Sequence, residues 1–211
     1  MKKVIFMVVM LSLVATGTAF AGISGTAHDL SQEAYATTDN QLCVFCHTPH
    51  NSDTSITVAP LWNHNVDGTT TYTPYSTGTI NATIPTTLTG ISALCMGCHD
   101  GTIAIDSFGN NAGSYPGGTT TMPSANGALL DTDLRDDHPV GFVYNTTLAT
   151  TDGELNDPTA LSNASVVLFG TVAATKTVEC ATCHDVHDDT NGNFLVMSNT
   201  GSALCLVCHD K

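Results

Sequence analysis

The chain has 211 residues, of which 5 are basic and 19 acidic, for a formal net charge of −14. Such a surface repels nucleic acid and anionic lipid, so neither is an expected partner; it suits metal cations or a protein with a basic patch. Although 42% of residues are hydrophobic, many are Ala or single Val and Ile residues scattered through Thr-, Ser-, Asn- and Gly-rich tracts such as 65–90 and 107–130. That pattern leaves little for a large aliphatic core.

In chain order, the first element reads as a cleaved signal peptide over residues 1–21. Lys2 and Lys3 form a basic start, Val4 to Val14 is a mostly apolar run, and Ala19-Phe20-Ala21 supplies the small-x-small cleavage pattern. The run is short for a membrane span, and no later apolar stretch approaches ~20 residues. No cysteine stands at the cleavage point, so no lipid anchor is expected there. The expected location is extracellular or at the cell surface, with the periplasm as the alternative. Without Lys2 and Lys3, the only basic residues are Arg135, Lys176 and Lys211.

Residues 22–211 read as one unit of two halves, about 22–115 and 116–211, divided near 105–130. Helical stripes are hard to find, and Thr-rich alternation as at 68–84 is a weak strand signal. The expected fold is mostly irregular and coil-rich, with short helices and few strands.

All 8 cysteines fall into four copies of one pattern: Cys43-Val-Phe-Cys46-His47, Cys95-Met-Gly-Cys98-His99, Cys180-Ala-Thr-Cys183-His184 and Cys205-Leu-Val-Cys208-His209. Each is C-x-x-C-H, the attachment signal for haem c. Two thiols add across the two vinyl groups of one porphyrin, and the next histidine reaches the iron on its proximal face. Two zinc sites of four thiolates each, or four disulfides, would leave the histidine after every pair unexplained. The reading is therefore four covalently bound haem c groups. Cys43, Cys46, Cys95, Cys98, Cys180, Cys183, Cys205 and Cys208 attach them, His47, His99, His184 and His209 are the proximal iron ligands, and the haem stack forms the core.

Of 9 histidines, His28, His50, His64, His138 and His187 remain. An internal repeat sorts them: a lone histidine (His28, His138), then CxxCHxxH (ending in His50, His187), then CxxCHD. Four distal ligands follow, namely His28, His50, His138 and His187. A histidine three residues past a proximal ligand is on the wrong side of its own haem, so His50 and His187 should each serve a neighbouring one. His64 has no repeat counterpart and is either a spare or a substitute ligand. Met96, Met122 and Met197 are weaker alternatives, since histidines are in surplus. Iron with two histidines is coordinatively full, which favours electron transfer over catalysis, and no catalytic constellation such as G-x-S-x-G or H-E-x-x-H is present.

With these residues in view, the sequence resembles the multihaem cytochromes of metal-reducing bacteria, and more narrowly the tetrahaem cytochromes that polymerise into extracellular nanowires of the OmcE type. The resemblance rests on His28-Asp-Leu-Ser, Cys43-Val-Phe-Cys-His-Thr-Pro-His50-Asn, Pro60-Leu-Trp-Asn, Asp137-His138-Pro-Val and the Cys180–His187 segment. It implies stacked haems with two histidine ligands and a head-to-tail homopolymer in which one histidine of each subunit ligates a haem of the next. His28 is then the expected donor, with His64 behind it. It also implies long-range electron transport to external acceptors, such as other redox proteins or extracellular metal. The alternatives are a discrete periplasmic shuttle, a reductase of nitrogen or sulfur oxyanions with one open iron, and a structural surface protein.

Overall fold

The computed structural model describes residues 22–32, 41–109 and 120–211. The expected leader at 1–21 lies outside them, as does part of the expected division between the halves. Among the described residues, the helices are α1 (Gly90–His99), α2 (Thr146–Asp152), α3 (Cys180–Cys183) and α4 (Cys205–Cys208). Single 3-10 turns occupy Leu30–Gln32, Ala173–Thr175 and Thr200–Ser202. Two two-residue strands, β1 (Thr73–Pro74) and β2 (Asp133–Leu134), pair in parallel with Thr73 opposite Asp133 and Pro74 opposite Leu134. The other described residues form turns, bends, isolated bridges and irregular segments, so the fold is the coil-rich one expected.

The abundance of Asp, Thr and Ser explains why coil holds its shape. In Asp-x-Thr and Asp-x-Ser steps, one carboxylate oxygen accepts both the amide and the hydroxyl of the residue two positions on. This occurs at Asp53–Ser55, Asp67–Thr69, Asp100–Thr102 and Asp157–Thr159. These side-chain turns compete with helix and strand for backbone groups. The hydroxyl bonds hold the Asp53, Asp67 and Asp157 carboxyls below the usual range. Within the Thr-rich tract 68–84 only Thr73–Pro74 is strand, and Pro74 cannot donate to a ladder.

Helix α1 is the longest regular element, and Ala93, Leu94 and Met96 supply its helix propensity. It ends at Asp100, followed by Gly101 at φ 71°. Asp100 is buried and accepts the Tyr72 hydroxyl at 2.7 Å, tying the helix end to the segment before β1. Helix α2 forms in a threonine-rich stretch because its ends are well closed. The Asn145 side chain accepts Leu148 N–H at 2.9 Å, and Gly153 at φ 77° terminates it. Asn145→Ala is expected to cost ~1 kcal/mol, read as a lower denaturant midpoint at unchanged slope for the haem-loaded protein.

Apolar packing is divided among small clusters. One gathers Tyr72, Leu88, Met96 and Leu134; a second Tyr144, Ala149, Leu168 and Val178; a third Val166, Leu204 and Val207. The second and third share Leu161 and Cys208 at their margins. Attachment cysteines thus sit at cluster edges, and the halves of the chain meet where α1 packs on α3. No helix among the described residues is long and apolar enough to cross a membrane.

Candidate haem-binding site

Each C-x-x-C-H segment folds locally in the same way. The histidine N–H donates to the carbonyl of the first cysteine at 2.7 Å in Cys43–His47, 3.1 Å in Cys180–His184 and 3.0 Å in Cys205–His209. In the second segment, Cys95 to His99 form the last turn and a half of α1. One helical turn puts residues i and i+3 on one side, so both sulfurs of a pair point the same way. All eight cysteines are free, and no group of three or more Cys, His, Asp or Glu is gathered into a metal cage among the described residues. The four-thiolate zinc arrangement therefore has no counterpart here. Burial pushes the Cys98 thiol up to about 12, with Cys46 and Asp100 pushing the same way. Burial likewise raises Cys183 to about 11. Such surroundings favour neutral sulfur and suit a thioether bond to a porphyrin better than a zinc-bound thiolate.

Three of the four motif histidines, the proximal candidates, are oriented by backbone carbonyls. His47 Nδ1 lies 2.7 Å from Pro60 O, His99 Nδ1 2.8 Å from Ala128 O, and His184 Nδ1 2.9 Å from Asn193 O. A carbonyl oxygen only accepts, so Nδ1 carries the proton and Nε2 keeps its lone pair for a metal. Metal-ligating histidines are commonly held this way, the second ring nitrogen donating to a carbonyl that fixes tautomer and ring orientation. His209 is held by a backbone bridge to Leu155. His138 repeats the carbonyl arrangement among the distal candidates, with Nδ1 2.9 Å from Pro139 O.

Three pairs of rings then face one another from distant parts of the chain. His28 and His99 have centroids 6.1 Å apart, His47 and His187 6.3 Å, and His138 and His209 6.4 Å. Two metal–nitrogen bonds of about 2 Å each, plus the distance from each nitrogen to its ring centre, put two axial imidazoles about 6 Å apart. Each pair joins one proximal and one distal candidate. His28 adds a second sign of fit. Its Nδ1 is buried without a hydrogen-bond partner, while burial and then the neighbouring His99 lower its pKa to about 4. It is held as a neutral imidazole, the form that binds metal. The residues present therefore fit haem iron with two histidine ligands at three of the four motifs.

His50 and His184 are the remainder: both stand without a facing histidine ring at this spacing among the described residues. His50 is exposed. His64 is buried against α1 rather than opposite a proximal histidine. Its Nδ1 donates to Asn65 O at 2.8 Å, and its Nε2 is 3.4 Å from Cys98 Sγ and 3.2 Å from Ala104 O. Gly97, between the second pair of cysteines, makes this approach possible: a Cβ there would lie 3.0 Å from Asn65 O and 3.3 Å from His64 Nδ1.

Two groups at the site were assigned no role from the sequence. Trp62 packs edge-on to His47 at 5.8 Å, and its Nε1 is buried without a partner. Glu179, directly before Cys180, is a buried acid whose contacts all come from tertiary structure or its own turn. Nothing distinguishes it in a list of 19 acidic residues.

No curated protein matches the chain. Residues 172–211, which hold the last two motifs, match the family described as the doubled CXXCH motif. Together with the motif geometry, that match indicates a multihaem c-type cytochrome with covalently bound haem c.

Proposed function

We propose that the chain carries four haems, each iron held by two histidines, and conducts electrons from haem to haem, within a filament of identical subunits. The carrying observation is the set of three ring pairs at 6.1–6.4 Å. Each motif's cysteines would hold a porphyrin and its histidine the iron, while His28, His187 and His138 close three of the opposite faces. Iron bound in this way supplies outer-sphere electron transfer and leaves no open position for substrate. An electron-transfer protein, not an enzyme, is the reading that follows.

The pairing also supports the filament. Among the described residues His184 lacks a facing histidine ring, and His50 is a surplus exposed imidazole. A head-to-tail contact in which His50 of one copy serves His184 of the next does not close on itself and so propagates. The donor in this reading is His50 rather than His28, because His28 stands opposite His99 in its own chain. Haem c attachment is chemistry of the extracytoplasmic side, which fits an extracellular filament passing electrons to an external metal or redox protein.

Electron cryo-microscopy of the native secreted haem protein, with a His50→Ala variant beside it, tests this. Continuous filaments in the native protein and discrete particles with one high-spin haem per chain in the variant are expected. Discrete native particles with all four irons ligated from within one chain would overturn the filament and leave a soluble electron shuttle.

A further inference from the structure

Glu179 joins the two halves of the chain at the place where their haem-attachment helices meet. Its Oε2 accepts the Ser92 amide at 3.1 Å and also the Ser92 hydroxyl. Its Oε1 accepts the Thr177 hydroxyl at 2.7 Å. Ser92 lies at the start of α1, whose own flanking residue Thr89 makes no side-chain cap. One carboxylate therefore caps α1 from 87 residues away and precedes the first cysteine of α3. The Ser92 hydroxyl closes the arrangement by accepting Cys180 N–H at 3.1 Å. Beyond it, the thiols of Cys95 and Cys180 are neighbours. Ser92 is fully buried and Glu179 is 4% exposed.

A buried acid costs several kcal/mol of desolvation unless its surroundings compensate. Among the described residues Glu179 enters no ion pair: Arg135 is bound to Asp133 and Lys211 to Glu154. Its compensation is the Ser92 amide and hydroxyl, the Thr177 hydroxyl, the Thr182 amide of its own turn and the N-terminal end of a helix, which favours negative charge. None of these carries a full positive charge. In a low-dielectric interior the charge acts strongly on its neighbours. Negative charge beside a redox iron stabilises the oxidised form, and local charge is among the factors that set such potentials.

We propose that the Glu179 carboxylate is a potential-setting group, holding down the reduction potentials of the two haems attached at Cys95–Cys98 and Cys180–Cys183. This rests on the haem reading above. Among the described residues the buried acids are Asp100 and Glu179, and both lie at these two attachment sites; Ser202, which matches Ser92 in the repeat, is exposed. The charge therefore divides four like-ligated haems into a lower pair at the junction of the halves and a higher pair outside it. Electrons entering the junction would climb in energy, so Glu179 shapes the energy profile of the path without touching iron.

The test uses the haem-loaded full chain. Mass spectrometry first counts covalent haems, which checks the haem reading independently of the inference. Spectropotentiometric titration, with haem methyl NMR signals separating the haems, then follows Glu179→Gln. Potentials of two haems should move to more positive values, with the other two unchanged and the haem count preserved. Ser92→Ala is the second variant, for use even if Glu179→Gln misfolds. It keeps the charge but removes a hydroxyl donor that screens it, so the same two potentials should move to more negative values. All four potentials unmoved in the variants that load haem, or all four moved equally, would overturn the proposal.

Discussion

The chain produced without covalent haem attachment is expected to have no cooperative unfolding transition, whereas the haem-loaded protein unfolds sigmoidally. Only 18 apolar side chains are buried among the described residues, and the clusters they form hold no more than four of them each. Burying one such side chain is worth roughly 1.5–3 kcal/mol. Ordering each backbone residue costs roughly 1–2 kcal/mol, and most residues here are in coil rather than in repeating ladders. The mismatch falls heavily against a folded state without added apolar surface. Covalent macrocycles add that surface where it is needed, because Cys183 and Cys208 already border the clusters. Circular dichroism and thermal scans of the two forms check this. A haem-free chain with a sharp transition would show that the side-chain clusters suffice alone.

The sequence was informative wherever chemistry forces a short-range pattern. Each C-x-x-C-H must present two sulfurs and an imidazole to one porphyrin, so its spacing survives in the letters. The coil-rich fold was legible in the scattered apolar residues and missing helical stripes, whereas the Asp-x-Thr and Asp-x-Ser turns that hold it emerged only from the structure. Helix α2 was less visible. Threonine is β-branched and reads toward strand, yet Asn145 and Gly153 set the ends of a helix. Those two end signals, rather than composition, decide that segment.

Long-range partnerships lay outside what spacing could show. The spacing leads to the expectation that His50 and His187 serve neighbouring haems, but not to which ring each meets. The structure brings His187 opposite His47, 140 residues earlier in the chain by number, and His28 opposite His99. Glu179 was invisible for the same reason: its meaning depends on Ser92, which only folding places beside it. His64 was ambiguous because a histidine without a repeat partner carries no positional information. Gly97, the residue that admits it to the helix surface, reads in sequence as an ordinary variable position of the motif.

Replacing His187 and His64 in turn separates a ligand from a packed side chain, and the two outcomes should differ sharply. His187 stands 6.3 Å from His47 with the rings nearly parallel, at 23°, and its Nδ1 lies 3.5 Å from Asp185 Oδ1. Its side chain is half exposed, so truncation leaves no buried cavity and the fold should persist. His187→Ala should convert one haem in four from low-spin to high-spin and create a carbon monoxide site in the reduced protein. The native reduced protein should bind none. His64 presents the opposite case: it is buried, and its Nδ1 is satisfied by Asn65 O. His64→Ala should keep every haem low-spin and instead lower stability by ~1–3 kcal/mol, because Ala104 O and the Asn65 carbonyl lose a buried polar neighbour. Visible absorption, electron paramagnetic resonance and denaturant titration read both variants. A high-spin haem in His64→Ala, with none in His187→Ala, would exchange the two roles and move the sixth ligand of one haem to the segment around Trp62.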